Sequence, residues 1–238
     1  MFIAILTYKK PLSEVDKYLQ AHREYLAENY AAGNFIASGP QTPRVGGVIM
    51  MRAASREAVD ALIKQDPFHI SVMIETGRLI LRHWRVEDAS VLYKYASDNR
   101  VSELALWPTH TSIEMSREVI EKIFMSNPDC FAIVLKESSE PVGCIGLVPV
   151  GDEHHETKPS EREVGYWIGH PYWNMGITTE ALEALVAYCR DNIGLQSLLI
   201  TVYNRNIASQ KVAEKCGFSS IDNYLYEGVG SRAYRLDL

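Results

Sequence analysis

The chain has few cysteines and none of the spacings that mark a disulfide framework or a zinc site. Its four cysteines, Cys130, Cys144, Cys189 and Cys216, are scattered through 238 residues and form no Cys-x-x-Cys pair. Isolated thiols of this kind are typical of proteins kept in a reducing compartment. The sequence therefore predicts a cytoplasmic protein with free thiols.

Long hydrophobic runs are missing, and basic residues do not exceed acidic ones. No apolar run is long enough to span a bilayer, and the apolar start Met1–Leu6 lacks a basic region, which indicates a first strand and not a signal peptide. The net charge is −6, from 24 Lys and Arg against 30 Asp and Glu. Nucleic-acid binding needs clustered positive charge, so we exclude a nucleic-acid partner. The acidic balance favours a cationic acceptor such as an amine.

Internal repeats, low-complexity tracts and spacers rich in Pro, Ser or Gly are also absent from the sequence. The length allows two modest domains, and the pattern of elements restarts at Thr76. We predict an α+β protein with domains at residues 1–75 and 76–238. The first domain reads β-α-β-β-α and ends with a closing strand at Ile70–Glu75, which is a ferredoxin-like arrangement.

The stretch Glu163–Phe218 carries the clearest chemical signal. It reads as a strand, a tight turn with Gly176, an amphipathic helix, a second strand, and a helix that carries Asn206 and Ser209. A glycine turn that opens onto a helix N-terminus presents unpaired N–H groups and the positive end of the helix dipole. Such a turn suits a phosphate, and the Asn and Ser that follow complete the order of an acyl-CoA site.

Several short motifs follow one another in a fixed order across residues 76–238. They are Thr76–Arg82, Gly165–Gly169, Gly176–Ala181, and Asn206-x-x-Ser209 followed by Glu214–Phe218. Together they resemble the GNAT N-acetyltransferases, and most closely the ribosomal-protein N-terminal (RimJ/RimL-type) branch. The resemblance implies a GNAT acyl-CoA N-acyltransferase fold and acetyl-CoA as cosubstrate. It also implies acetyl transfer to a primary amine, on a protein N-terminus or on a small molecule.

The resemblance assigns roles to individual residues. Glu163, which opens the strand before the turn, would be the general base that deprotonates the amine. Ser209, directly or through a water, would protonate the departing thiolate, and Tyr203 is a second candidate for this role. Asn206 and Ser209 would also contact the cofactor. The other cofactor contacts would come from the backbone of two strand residues and six turn residues: Trp167, Ile168, Asn174, Met175, Gly176, Ile177, Thr178 and Thr179.

Each role has a plainer alternative. Glu163 could be the solvated start of a strand, Ser209 could hydrogen-bond to a carbonyl of its own helix, and Asn206 could be an ordinary helix cap. The segment Asp152–Glu156 combines acidic residues with two histidines. The spacing of these residues would not bring a set of ligands together around a metal ion. We therefore predict a polar loop and no metal site.

The turn departs from the family's usual pattern, Gln/Arg-x-x-Gly-x-Gly/Ala. Trp173 occupies its first position, and the β-branched Thr178 occupies its last, where the backbone approaches the phosphates. The turn contains no Lys or Arg, which leaves only backbone N–H groups and the helix dipole for the pyrophosphate. We therefore expect weaker CoA binding than is usual for the family.

Three aromatic residues fall in the segments where this family recognises its acceptor. They are Trp107, Tyr224 and Tyr226. Their rings could line an acceptor pocket or could equally belong to the core.

The first domain carries its own motifs, Ala21–Leu26, Ser38–Pro40 and Asp66–Phe68. These resemble the YCII-related domains, which are small dimeric α+β proteins. The resemblance places His22 and Asp66 at the family's suspected catalytic pair and implies a homodimer through this domain. The alternative is a satisfied core histidine beside an ordinary turn aspartate.

Three functions are therefore open from the sequence. The leading one is an acetyl-CoA-dependent N-acetyltransferase. The second is a CoA-binding or interaction module without turnover, which Thr178 would favour. The third is an enzyme whose main chemistry lies at the His22–Asp66 pair.

Overall fold

The structure, a computed structural model, consists of two compact units, Met1–Val72 and Met73–Leu238. The residues that it describes are 1–8, 12–63, 65–70, 73–105 and 107–238.

The first unit is a three-stranded antiparallel sheet, in the order β1-β3-β2, with helices packed on it. Alternate residues of β1 point to the core and to the surface, as expected for a half-buried strand. The core contains Tyr25, Phe35, Ile49, Met51 and Val59. The elements are β1 (Phe2–Thr7), α1 (Leu12–Val15), α2 (Leu19–Ala31), β2 (Phe35–Pro40), β3 (Gly46–Met51), α3 (Arg56–Ile63) and α4 (Pro67–Ile70).

The predicted closing strand over Ile70–Glu75 does not join this sheet. Its last two residues, Ile74–Glu75, form β4 and pair with β5 (Leu79–His83) of the second unit; residues 71 and 72 lie outside the described part of the chain. A tight turn explains the difference, because the Thr76 N–H donates to the carbonyl of the first β5 residue at 3.0 Å. Turns of this kind pair a strand with its sequence neighbour. The described part of the first sheet thus has three strands, not the four of a ferredoxin-like sandwich.

The second unit is an eight-stranded sheet in the order β4-β5-β6-β7-β8-β9-β11-β10. Its strands are antiparallel except for β8 and β9, which run parallel. The elements after β5 are α5 (Ala89–Ala96), α6 (Asn99–Ala105), α7 (Ile113–Val119), β6 (Cys130–Leu135), β7 (Pro141–Leu147), β8 (Glu161–Ile168), α8 (Ile177–Tyr188), β9 (Ser197–Tyr203), α9 (Ile207–Lys215), β10 (Ser219–Tyr226) and β11 (Val229–Asp237).

The parallel pair separates after three residues, and this separation creates the site. Glu161–Glu163 of β8 pair with Ser197–Leu199 of β9. Beyond that point β8 stays paired with β7, and β9 stays paired with β11. The sheet therefore opens into a V with Glu163 at its apex, and the edge of β8 that faces β9 is left without a strand partner.

A rigid core supports this opening. Every residue of β7 is buried, and both α5 and α8 pack against that strand. One cluster of buried side chains includes Trp84, Leu92 and Ile120. Burying a side chain of this size contributes roughly 1.5–3 kcal/mol, so the strands that border the V are held firmly. Among the described residues, no helix has the length and apolar character that crossing a membrane would require.

Candidate active site

The V between β8 and β9 holds a cavity of about 410 Å³. All but one of the residues predicted for the catalytic and cofactor roles in this unit line it, although they come from four separate elements. The exception is Met175, whose carbonyl faces an arginine instead. The lining residues that were predicted are Glu163, Trp167, Ile168, Asn174, Gly176, Ile177, Thr178, Thr179, Tyr203, Asn206 and Ser209.

The turn before α8 has the geometry of an anion site. Gly176 caps the helix with φ at 72°, and Asn174 has φ at 60°. Both are residue types that accept left-handed backbone with little strain. Thr178 is the second residue of the helix itself, so its β-branched side chain does not occupy a left-handed position. The first N–H groups of α8 have no partner within the helix, and the residues that carry them, Ile177, Thr178 and Thr179, line the V.

A guanidinium lies at this turn although the turn's own sequence has no basic residue. Arg78, at the foot of β5, donates from Nη1 to the Met175 carbonyl at 3.0 Å and from Nε to Glu180 Oε2 at 2.7 Å. Its Nη2 lies 3.6 Å from where a Cβ on Gly176 would be. Sequence reasoning missed Arg78 because it lies far from the turn along the chain. The turn that is predicted to hold a phosphate group therefore has a cation beside it as well as backbone N–H groups.

Glu163 lies at the apex of the V, with only 3% of its side chain exposed. Its Oε1 accepts hydrogen bonds from His154 Nδ1 at 2.8 Å and from Thr201 Oγ1. Its Oε2 accepts from the backbone N–H of His154 at 2.7 Å. The carboxylate is thus buried and hydrogen-bonded on both oxygens, and the plain alternative of a solvated strand start does not describe it.

His154 was not singled out in the sequence, where it belongs to the loop Asp152–Glu156. The structure places its ring against Glu163, with 26% of the side chain exposed. The hydrogen bond to Glu163 raises the pKa of His154 above its usual value, although burial opposes the shift. No local motif reveals this residue, because its position follows from how the loop folds back over β8.

Ser209 and Asn206 have hydrogen-bond partners inside the protein. Asn206 caps α9, since its side-chain oxygen accepts from the Ser209 N–H at 3.1 Å. The Ser209 hydroxyl lies 2.9 Å from the hydroxyl of Tyr166, which also donates to the Ser209 carbonyl. Burial raises the pKa of Tyr166 and keeps it protonated. Asn206 therefore is the helix cap that the plainer alternative described, and it also lines the cavity.

A second cavity, of about 370 Å³, adjoins the first. His154 and Tyr203 line both cavities. Trp107 and Tyr226, two of the three aromatic residues singled out in the sequence, line the second one together with Pro108 and Glu227. The third, Tyr224, packs its ring against His155 instead.

Comparison with known proteins identifies the larger unit. The family model described as an acetyltransferase (GNAT) domain matches residues 78–219. This chain belongs to the GNAT acetyltransferase family. It is therefore an acetyltransferase that uses acetyl-CoA as its cosubstrate, as the motifs predicted. The model of the YCII-related domain matches residues 1–80.

Individual relatives agree with this assignment. The chain is 29% identical over 147 residues to the uncharacterized N-acetyltransferase p20 of Bacillus licheniformis, covering 60% of this chain and 80% of that one. The structure resembles that of a GNAT acetyltransferase from Bacillus anthracis with a TM-score of 0.60, at 21% identity, over 70% of this chain and 98% of that one. A second structure, of the microcin C7 self-immunity acetyltransferase MccE with acetyl-CoA and AMP, gives a TM-score of 0.56 at 20% identity, over 68% and 94% of the two chains.

The first unit of this GNAT protein contains the predicted His–Asp pair. His22 Nδ1 lies 2.6 Å from Asp66 Oδ1, and both side chains are largely buried. The His22 ring stacks on Phe68, with centroids 3.9 Å apart. The other oxygen of Asp66 is buried and has no hydrogen-bond partner among the described residues. The structure therefore brings the two residues together, as expected from the sequence.

Proposed function

We propose that this GNAT protein is an N-acetyltransferase of the RimJ/RimL-like branch that transfers acetyl from acetyl-CoA to a primary amine. The acceptor would be a protein N-terminus or a small molecule. One observation carries the proposal: two cavities meet at His154 and Tyr203, one in the V and one with an aromatic and acidic wall. A cofactor site and an acceptor site that share polar groups fit a direct transfer between two bound substrates.

In this proposal the cofactor lies in the V. Its pyrophosphate binds the N–H groups at the start of α8 and the guanidinium of Arg78. Its pantetheine arm runs along the free edge of β8, where the backbone of Trp167 and Ile168 supplies hydrogen bonds and a donor for the oxyanion. Asn206 and Ser209 contact the arm from α9.

The chemistry follows from the groups at the apex. The amine nitrogen attacks the thioester carbonyl, forms the C–N bond and loses a proton to a base at the Glu163 position. The tetrahedral intermediate then expels the thiolate as the C–S bond breaks. Tyr203 lies where both cavities meet and protonates the thiolate; Ser209 is the alternative acid.

The second cavity suits a cationic acceptor. Trp107 and Tyr226 offer aromatic faces, which attract an ammonium group, and Glu227 adds a negative charge beside them. An amine would enter as its ammonium form, give one proton to water and attack as the neutral amine, whose second proton goes to the base.

We further propose that the chain comprises two domains, residues 1–75 and 76–238, and that the protein is a cytoplasmic homodimer. The compact units divide after Val72, and the sequence pattern restarts at Thr76. Met1, just before β1, is 81% exposed, and Ile3 and Ile5 of β1 are 59% and 71% exposed, so the first sheet presents an apolar face that a second copy would cover. The four scattered cysteines, with no Cys-x-x-Cys pair, support a reducing compartment.

A His–Asp site in the first unit is a second candidate function. The buried, unpartnered oxygen of Asp66 supports it, because such atoms are costly unless a ligand or a structural role requires them. In the domain assignment proposed above, this site would be separate from acetyl transfer.

The acceptor is tested by following thiol release from acetyl-CoA with diamines, arylalkylamines and peptides that carry a free N-terminus. We expect turnover with at least one class, and Glu227→Gln is expected to raise KM for that amine several-fold with little change in kcat. Glu153→Gln, an acidic residue outside both cavities, is the control. Absence of CoA release with every amine would contradict the proposal.

A further inference from the structure

The carboxylate of Glu163 is poorly placed to take a proton from a substrate. A general base must come within hydrogen-bond distance of that proton. Glu163 has 3% of its side chain exposed, and His154 and Thr201 already donate three hydrogen bonds to its two oxygens. An amine could reach the carboxylate only if one of these donors moved away.

His154 is the group that extends from this carboxylate into the site. The ring nitrogen Nδ1 of His154 hydrogen-bonds to Glu163 Oε1, and the backbone N–H of His154 hydrogen-bonds to Oε2. The residue is therefore held to the carboxylate at two points, one of them on the ring. A neutral imidazole in this arrangement carries its proton on Nδ1, facing the carboxylate, and leaves the Nε2 lone pair as an acceptor. The side chain is partly exposed and lines both cavities.

We propose that Nε2 of His154 accepts the proton from the attacking amine and that Glu163 is a positioning residue that orients the ring. This inference rests on the proposed acetyl transfer. It assigns proton acceptance to His154 and the orientation of the imidazole ring to Glu163. The amine nitrogen bonds to the carbonyl carbon, and its proton moves to Nε2. The C–S bond then breaks, and the thiolate takes a proton from Tyr203. The resulting imidazolium is stabilised by the Glu163 carboxylate and later returns its proton to water, and the Tyr203 phenolate regains a proton from water.

The surroundings of His154 are consistent with this role. Charged and titratable groups face it from three elements: Glu163 on β8, Tyr226 and Glu227 at the β10–β11 turn, and Asp152 on its own loop. The carboxylates raise the pKa of His154, with the hydrogen bond to Glu163 as the largest cause. The same carboxylates stabilise the imidazolium that forms when Nε2 takes a proton.

The neighbouring histidine provides a matched control. His155 also pairs with a carboxylate, since its Nε2 lies 3.0 Å from Asp222 Oδ2. It lines neither cavity among the described residues. A change at His155 therefore alters the same loop and removes the same kind of ion pair without reaching the site.

The kinetic test measures kcat/KM against pH by thiol release, with acetyl-CoA and with 1,4-diaminobutane, tyramine or a short peptide bearing a free N-terminal serine. His154→Gln is expected to lower kcat/KM by roughly 10²-fold and to remove the acidic limb of the profile. Glu163→Gln is expected to move that limb to lower pH, because it removes the group that raises the histidine pKa. His155→Gln should leave rate and profile unchanged, and the Kd for acetyl-CoA should be the same in all variants.

A ring-nitrogen NMR titration of the full-length protein gives a readout that needs no acceptor. We expect neutral His154 to carry its proton on Nδ1, to titrate above 6.5, and to titrate lower in Glu163→Gln. The inference is overturned by a neutral form protonated on Nε2, or by His154→Gln with native turnover and an intact acidic limb. If acetyl-CoA does not bind at all, the proposed function itself fails, and this inference with it.

Discussion

At the scale of single residues, Tyr203 and Ser209 differ in how free their hydroxyl groups are. The hydroxyl of Ser209 is 2.9 Å from that of Tyr166 and belongs to the internal network of α9. The Tyr203 hydroxyl forms no hydrogen bond to any described residue, and its ring lies where the two cavities meet. A group that must give a proton to a thiolate has to reach it, which favours Tyr203 as the acid.

Tyr203→Phe is therefore expected to lower kcat by roughly 10²-fold, the usual contribution of a positioned general acid, with little change in the Kd for acetyl-CoA. Ser209→Ala is expected to change kcat by only a few-fold. Thiol release and calorimetry on both variants measure the two effects. The opposite ranking of the variants would return the acid role to Ser209.

The His154–Glu163 pair also makes stability depend on pH. The folded-state pKa of His154 is raised above its unfolded value near 6.5. Its extra stabilisation is thus fully present below pH 6.5 and is lost as the pH rises through the folded-state pKa. The free-energy difference of unfolding between the native protein and His154→Gln should be larger at pH 5.5 than at pH 8.5. Urea denaturation at the two pH values measures it, and an unchanged difference would contradict the pairing.

At the scale of elements, the phosphate end of the site is assembled from two distant parts of the chain. The turn before α8 supplies N–H groups and the positive end of the helix dipole. Arg78 reaches it from β5 and is held there by Glu180 of α8 and by the Met175 carbonyl. The hairpin that pairs β4 with β5 fixes the position of Arg78, so the short strand β4 matters to the cofactor site although it lies at the edge of the sheet.

Arg78→Ala is expected to weaken acetyl-CoA binding by up to roughly fivefold, because an exposed charged pair contributes up to about 1 kcal/mol. Acetyl-pantetheine, which lacks the pyrophosphate, should bind both proteins alike. Arg190→Ala is the control, because Arg190 lies just beyond the C-terminal end of α8 and lines neither cavity among the described residues. Equal losses for the two ligands would mean that Arg78 only supports the turn.

How much the sequence could predict depends on how local each signal is. Gly176 and Asn206 were found because a turn and a helix start have local signatures, and the order of motifs was enough to predict the GNAT fold. Arg78 and His154 were missed because their positions depend on a hairpin and a loop that fold back from elsewhere in the chain. Of the strand predicted at Ile70–Glu75, the last two residues do form a strand, but it pairs with β5 and not with the first sheet. The turn at Thr76 determines this pairing, and hydrophobicity alone does not reveal it.

At the scale of the whole molecule, the apolar face of β1 predicts self-association. Phe2, Ala4 and Leu6 pack on the core of the first unit, which leaves Ile3 and Ile5 on the opposite face because strand side chains alternate. Edge strands with an exposed apolar face usually have a partner.

Ile5→Lys is expected to convert a dimer into a monomer without loss of fold, since the change is made on an exposed surface. Sedimentation velocity measures the mass, and circular dichroism checks the fold. Ile123→Lys, an exposed isoleucine of the second unit, should remain dimeric. A native protein that is monomeric at micromolar concentration would refute the dimer.

Every role proposed above requires the V between β8 and β9 to bind acetyl-CoA for transfer to an amine. Calorimetric titration of the native protein with acetyl-CoA measures this binding. We predict one site per chain with a Kd in the micromolar range, weakened in Arg78→Ala and unchanged in Arg190→Ala. No binding with acetyl-CoA raised to about 1 mM, the upper end of ordinary enzyme–substrate affinities, would contradict the account.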